Sequence, residues 1–414
     1  MTTPGSRTRT RFVQWNVRTL YQSGKLAQLI SECRRLRIDV LGISEMRWNT
    51  CGELSNADGD LVLFSGMPNA DDPHVNGVGL YLNRRYRKAL LSWKAISDRI
   101  TAARLDSKWR KITIIQCYAP TEESELEAKE QFHSMLDKTL TETNHNDFVI
   151  LMSDFNARIG NENEGLEHIM GRHGVGQKNE NGELLIEICA NYGLKIGGSL
   201  FIHKEKHKAT WMAPNPSWRI QYYQLDHFCV SGKWRRSLLD VRNKRSAEIG
   251  SDHYLLLAEL RLKIAPRRVS QQPGRIKYLV NKLRDENTRD RYMSTVRAKH
   301  AERMDTESLD PINGTWNNIK TSITESAAET LGHGGKRNKD WLSVDFWRLI
   351  EDRRAIRDRL LNVLNTRRGS ELKNRYADIN KRIKKQARKD KRIYFEDMAA
   401  EAEEAAKKGD IRTL

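Results

Sequence analysis

The chain reads as an α/β protein with a substantial sheet core, followed by a mostly α-helical basic extension. Three observations carry that reading. Short apolar runs recur up to about Ile264, and segments of helical spacing lie between them. Beyond a Pro/Gln/Gly-containing stretch the strand-like runs stop, and long charged helical patterns take their place. At 414 residues the chain is too long for one ordinary domain and fits a large domain with an extension.

In chain order, Arg11–Asn16 reads as a strand because Phe12, Val13 and Trp15 are bulky. Lys25–Leu36 sets Leu26, Leu29, Ile30 and Cys33 on one helical face. Ile38–Ser44 is apolar almost throughout, as a strand covered on both faces must be. Further strands are expected at Gly77–Leu82, Ile112–Tyr118, Phe148–Met152 and Tyr254–Leu262, with helices over Ser124–Thr143 and Gly182–Tyr192. The first domain is therefore set at 10–264, a linker at 265–278 (Pro266, Gln271, Gln272, Pro273, Gly274) and the helical extension at 279–414. Within the extension, Val344–Asn365 and Glu371 to about Lys408 read as two helices. They are broken at Gly369, with Ser370 as N-cap, and form an antiparallel hairpin.

Charge is uneven. From Lys263 onward there are 36 Lys and Arg against 23 Asp and Glu, whereas the preceding residues hold 36 against 31. A basic excess favours phosphate-rich partners, because cations that replace condensed counterions release them. The five scattered cysteines show neither a zinc spacing nor a disulfide framework. No apolar run has the length of a membrane span, and no apolar stretch follows the polar first residues. The expectation is a soluble protein of the nucleus or cytoplasm, without a membrane partner.

The informative residues are polar groups at the ends of apolar runs: Asn16, Glu45, Tyr118, Asp154 with Asn156, Asp226, Asp252 and His253. In a sheet protein such ends form one rim, where residues distant in sequence meet. Together they supply what phosphodiester hydrolysis needs: oxygen ligands for a hard cation, a base for water and donors to the charged phosphate. Asn16, Glu45 and Asp252 could hold the metal, and Asp154 could orient or deprotonate water that Asn156 positions. His253 could donate to a phosphoryl oxygen, with its ring held by Asp226, and Tyr118 is a further donor.

The ordered motifs WN (15–16), ISE (43–45), CYAP (117–120), SDFNA (153–157), QLDHF (224–228) and GSDH (250–253) resemble the exonuclease–endonuclease–phosphatase superfamily over about residues 10 to 264. The resemblance implies a four-layer α/β/β/α sandwich with its site at one edge, and it places the same residues in the same roles. It implies Mg²⁺, with Mn²⁺ as a substitute. Three positions depart from the pattern. Arg18 stands where repair relatives carry a carboxylate, Ser153 where a glycine commonly precedes Asp-x-Asn, and Tyr223 where retroelement relatives often have asparagine.

The phrases WNVRTLYQSGKL, ISDRI, CYAPT, SDFNARIG and NENGELL are similar to endonucleases of non-LTR retrotransposons, which nick DNA and leave 3′-hydroxyl ends. The basic segment after the domain resembles their connector to reverse transcriptase, although no aromatic-x-Asp-Asp polymerase motif follows. DNA is the partner this implies. Arg18, Arg158, Trp211 and Trp218 are candidate contacts to it, and the basic run Lys381–Arg392 is either a further contact or a solvated helix face. Two alternatives stay open: a non-catalytic chromatin or protein-interaction factor, and a phosphatase or RNA-processing relative.

Overall fold

In the computed structural model the described residues are 9–108, 110–212, 222–262, 278, 283, 285–304, 311–331, 341–363 and 367–407. A seven-stranded sheet runs in the order β14 (Leu238–Lys244), β15 (Leu255–Arg261), β1 (Arg9–Asn16), β2 (Val40–Ser44), β5 (Val78–Leu82), β4 (Leu61–Ser65) and β3 (Cys51–Ser55). A six-stranded sheet runs β10 (Leu194–Ile196), β13 (Asp226–Ser231), β9 (Phe148–Asp154), β8 (Ile112–Tyr118), β7 (Ile100–Leu105) and β6 (Leu90–Ala95). The pair β11 (Trp211–Met212) and β12 (Tyr222–Tyr223) stands apart.

Strand periodicity explains the layering. Phe12, Val40, Leu63 and Leu80 of the first sheet share one buried cluster with Ile114, Ile150, Met152 and Phe228 of the second. Their neighbours point the other way. Val13, Trp15, Leu41 and Ile43 bury against Leu29 and Cys33 of α1 (Lys25–Arg35). Ile115, Cys117 and Leu151 bury with Phe132 and Leu136 of α3 (Leu126–Thr141) and Leu185 and Cys189 of α4 (Glu180–Asn191). The short α2 (Arg84–Arg87) caps the lower end of β5. The result is helix, sheet, sheet, helix, and each fully buried Leu, Ile or Phe contributes roughly 1.5–3 kcal/mol.

Register decides where the site lies. β1 and β2 run parallel, pairing Asn16 with Ser44, and β8 and β9 run parallel, pairing Tyr118 with Asp154. β13 is antiparallel to β9 and pairs Asp226 with Asp154. The chemistry-bearing ends therefore gather at one edge of both sheets.

The same alternation sends Gln14, Gly42 and Gln116 inward between the sheets. A Cβ on Gly42 would lie 1.9 Å from Gln116 Oε1, so β2 needs glycine there. Gly42→Ala is expected to cost about 1–3 kcal/mol by overpacking, read as a lower urea midpoint.

Several elements differ from the sequence reading. β9 extends to Asp154, and β3, β4, β6, β7, β10, β13 and β14 are additional strands. β3 and β6 are largely exposed edge strands, which lack the apolar runs that mark buried ones. The expected break at Gly369, with Ser370 as N-cap, is corrected: α8 runs unbroken from Arg367 to Lys407. Gly369 is buried inside it, so close packing outweighs glycine's poor helix propensity. The linker at 265–278 lies outside the described residues except Tyr278.

The chain forms two compact units, Met1–Arg267 with Trp341–Leu414, and Arg268–Asp340. The helices beyond the linker therefore do not make one extension. In the second unit α5 (Glu286–Met304) and α6 (Pro311–Thr330) are joined by Lys299–Glu329 at 2.8 Å and Arg303–Glu325 at 2.8 Å.

In the first unit α7 (Val344–Val363) and α8 form the expected antiparallel hairpin around Phe346, Ile350, Ile379, Ile383 and Ala387. The hairpin docks on α1. Arg353 donates to Gln28 Oε1 (2.9 Å) and to Asn380 Oδ1 (2.9 Å), and Arg354 pairs with Glu32.

Candidate active site

Beneath the catalytic edge lies a polar layer between the sheets. The Gln14 amide nitrogen faces Gln116 Oε1 at 2.8 Å, and its oxygen accepts from Asp154 N (3.1 Å) and Ser44 Oγ (2.9 Å). This network holds the end of β9 in place through the Asp154 N–H. Above it, Asn16 Nδ2 donates to Glu45 Oε1 (2.8 Å) and Asp154 Oδ2 (2.9 Å). Tyr118 Oη donates to Glu45 Oε1 (3.1 Å). His253 Nδ1 donates to Asp226 Oδ2 (2.9 Å), and Nε2 stands 3.7 Å from Asp154 Oδ2. Asp226 starts β13, where its backbone N–H and that of Leu225 donate to Thr210 Oγ1.

The backbone is constrained at this edge. Arg18, Glu45, Arg47 and Asn156 all adopt left-handed φ, from 50° to 61°, which non-glycine residues rarely do. Such outliers persist only where surrounding contacts over-determine them. Asn156 shows those contacts. Its N–H donates to Asp154 Oδ1 (3.1 Å), and its Nδ2 donates to Ala119 O (3.0 Å). Its carbonyl accepts from Asn179 and Asn181 at the start of α4. The NENGELL phrase thus has a local physical role, since Asn179 caps α4 through Gly182 N and also binds Arg158 N.

Electrostatics separate the central groups. Burial and the neighbouring Asp226 push the Asp154 carboxyl up to about 7. For His253 burial is the largest influence and lowers the pKa, but Asp226 and Asp154 together outweigh it, and the imidazolium is held up to about 10. Burial and Glu45 raise the Tyr118 phenol, so it remains a donor. A base with a pKa near neutrality beside an acid that stays protonated is the division of labour expected of a catalytic pair.

The structure brings Asn16, Glu45, Tyr118, Asp154, Asn156, Asp226 and His253 together. Asp252 is exposed and makes no hydrogen bond or ion pair among the described residues, although its charge acts on His253. Asp154, Asp226 and His253 place donor atoms within 4.8 Å of one another. His253 Nδ1 is committed to Asp226, so a hard cation would draw on carboxylate and amide oxygens at this edge, where Glu45 meets Asn16 Nδ2 and Asn16 Oδ1 accepts from Arg18 N.

Trp211 pairs with Tyr223, and its ring centroid lies 6.5 Å from that of His253. The Arg158 guanidinium lies 5.5 Å from the centre of the Tyr223 ring. Trp218 lies outside the described residues. Arg18 N donates to Asn16 Oδ1 (2.9 Å), while its side chain is exposed. Ser153 does not adopt positive φ, so serine is accommodated where glycine is common.

The sequence reading missed Gln14, Gln116, Ser44 and Thr210. The signal available for the two glutamines was a lone amide inside an otherwise apolar run. It also missed a brace behind the GSDH motif. Glu248, almost fully buried, pairs with Arg357 Nη1 (2.7 Å) and lies 3.6 Å from Arg353 Nε. It accepts from Tyr376 Oη (2.8 Å) and Gly250 N (2.6 Å). Ser251 Oγ then donates to Asn16 O (2.7 Å) and accepts from His253 N (3.0 Å). The hairpin and the loop that carries the GSDH motif are therefore one hydrogen-bonded structure.

Two facing sheets flanked by helices, with this carboxylate–histidine cluster at one edge, form the four-layer α/β/β/α sandwich that the motifs implied. Among curated proteins the chain is similar to craniofacial development protein 2 from Bos taurus, 35% identical over 250 residues, which are 60% of this chain and 40% of that protein. The protein of the same name from Tragulus javanicus is 34% identical over 250 residues, 60% and 42% of the two chains. The chain thus spans about two fifths of the length of the curated relatives it matches.

Similar solved structures include the endonuclease domain of TRAS1, a telomere-specific non-LTR retrotransposon (TM-score 0.42, 13% identity, covering 61% of this chain and 99% of that one). A 3′ phosphatase from Neisseria bound to a product DNA hairpin has TM-score 0.45 and 19% identity, covering 61% and 99%. No family model matches the chain.

Proposed function

We propose that the chain is a divalent-metal-dependent phosphodiesterase that nicks DNA, of the type found in non-LTR retrotransposons. The observation that carries this reading is the Asp154–Asp226–His253 cluster, in which a carboxylate near neutrality faces a protonated histidine across 3.7 Å. Asp154 takes the proton of an attacking water that Asn156 helps to position. His253 Nε2–H, oriented by Asp226, donates to a phosphoryl oxygen as negative charge develops, and Tyr118 is a second donor. The water oxygen bonds to phosphorus as the bond to the 3′ oxygen breaks, and the departing 3′ oxygen takes a proton from solvent, leaving a 3′-hydroxyl and a 5′-phosphate.

Glu45 and Asn16, with Asp252 at the exposed rim, would hold Mg²⁺ or Mn²⁺. The cation supplies Lewis-acid polarisation of the phosphate. DNA, rather than a lipid or inositol phosphate, is supported by the retroelement-like phrases and the basic balance of the chain. The same features support a nuclear location. Among the described residues no helix is long and apolar enough to cross a membrane.

Cleavage should rise as Asp154 ionises through about 7 and fall as His253 loses its proton near 10. A bound cation favours the carboxylate and moves the lower limb down. The raised His253 pKa also contributes stability, present in full below 6.5 and lost as pH rises through about 10. A pH–rate profile that stayed flat from 6 to 11 would contradict this assignment.

The direct test is supercoiled plasmid with the full chain. Relaxed circles should appear with Mg²⁺ and not with EDTA. Intact plasmid, with turnover only on an inositol phosphate or RNA in parallel assays, would overturn the DNA reading.

A further inference from the structure

Beside the catalytic edge is a cavity of ≈ 390 Å³ whose wall is shared by the sandwich and the C-terminal hairpin. Five cations line it, namely Arg18, Arg47, Lys25, Arg353 and Lys384, and no carboxylate does. We propose that this cavity binds one phosphodiester group of the nucleic-acid strand, next to the scissile one, so that the hairpin forms part of the substrate surface. The inference rests on the DNA-nicking reading and extends it.

Position is the first argument. Arg18 and Arg47 each stand two residues after a proposed metal ligand and contact it, Arg18 through its N–H to Asn16 and Arg47 through Nη2 to Glu45 at 3.0 Å. The cavity therefore adjoins the site rather than lying elsewhere on the surface. Gly250, from the catalytic loop, forms another part of its wall.

Uncompensated charge is the second argument. Lys25 and Arg353 are each more than nine-tenths buried. Lys25 donates to Ile249 O, a neutral partner, and burial with the adjacent Arg353 holds its ammonium down to about 7. Glu248 opposes this shift, and Lys384 and Arg18 add to it. Arg353 Nε lies 3.6 Å from Glu248 without a hydrogen bond, and among the described residues none of Lys25, Arg18 and Lys384 has an ion pair. Glu248 compensates Arg353 and Glu45 compensates Arg47, but Lys25 is a buried cation without its own counter-charge, which is costly unless an anion completes it.

The shape of the charge is the third argument. Arginine forks and compact ammonium groups together suit a phosphate's tetrahedral oxygens. Lys384 is the informative member because it comes from α8, far outside the nuclease motifs. It sits on the exposed face of that helix, whereas Ile383 and Ala387 beside it are buried in the hairpin. The basic run Lys381–Arg392 is thus a solvated helix face, and one of its members reaches the catalytic edge.

The test uses the full chain and the variant Lys384→Met, with Lys138→Met on α3 as a charge-matched control. Binding of a dye-labelled DNA duplex is titrated by anisotropy in EDTA over a range of NaCl. Losing one phosphate contact should reduce the slope of log affinity against log salt by about 0.9 in Lys384→Met and leave Lys138→Met as wild type. In parallel, inorganic phosphate at fixed ionic strength should raise the wild-type Tm above its value in chloride, and less so in Lys384→Met.

A Lys384→Met chain with wild-type slope and wild-type phosphate response overturns the proposal. A phosphate response without DNA affinity overturns the strand assignment. Failure of the wild type to nick plasmid, by contrast, overturns the DNA-nicking reading, and the phosphate arm still reads the pocket.

Discussion

Asp154→Asn is expected to lower the rate of DNA nicking by about 10³–10⁴-fold, within the range for loss of a positioned general base, while the fold survives. The two halves of that expectation have one cause. Asp154 is fully buried, faces Asp226 across the β9–β13 pair, and pays for its charge with a carboxyl raised to about 7. An amide keeps the shape, and its single oxygen can still accept from either Asn16 or the Asn156 N–H, which now meet Oδ2 and Oδ1, while the other contact is lost. It also removes the carboxylate repulsion. The Tm should therefore stay level or rise as activity collapses, a trade expected where a site is strained for function. Parallel melting curves and single-turnover rates check both halves.

Glu248→Ala should be the most destabilising single change outside the apolar core, by about 3–5 kcal/mol, because it leaves buried positive charge unpaired. Arg353 is 1% exposed and Arg357 half-buried, and among the described residues both pair with this one carboxylate. Burial alone would raise the Glu248 pKa, yet Arg357 and Arg353 outweigh it and hold the group below its usual 4.5.

A depressed carboxylate contributes stability above the unfolded value, and that stability is lost as pH falls through the folded one. Docking of the hairpin should therefore be acid-labile below about pH 4.5, the unfolded reference. Urea denaturation measures the loss, and replacing Arg353 and Arg357 by methionine in the same chain should recover part of it. A change under 1 kcal/mol in Glu248→Ala would mean the network contributes little.

The candidate site at the sheet edge was legible in the sequence because its residues stand where apolar runs stop. Asn16, Glu45, Tyr118 and Asp154 end β1, β2, β8 and β9 or follow them directly, and a parallel register brings such ends together. Asp226 and His253 could be paired on chemistry alone, and the 2.9 Å contact matches that pairing.

What escaped notice was of two kinds. Gln14 and Gln116 sit in mid-strand, where a single amide cannot be told from a tolerated polar residue until the opposite sheet is in place. The hairpin brace joins Glu248 to residues more than 100 positions later, and an Arg-rich helix reads as solvated whichever face it buries. Asp252, whose motif pointed to a metal ligand, stands at the exposed rim without a hydrogen bond or ion pair among the described residues.

The most direct test of the central claim is single-turnover cleavage of an end-labelled DNA duplex by the full chain, with Mg²⁺ or EDTA, beside Asp154→Asn and His253→Ala. The expected result is Mg²⁺-dependent cleavage to 3′-hydroxyl ends, abolished in EDTA and reduced at least about a hundredfold in each variant. Cleavage by either variant at the wild-type rate would show that the Asp154–Asp226–His253 cluster is not the catalytic centre.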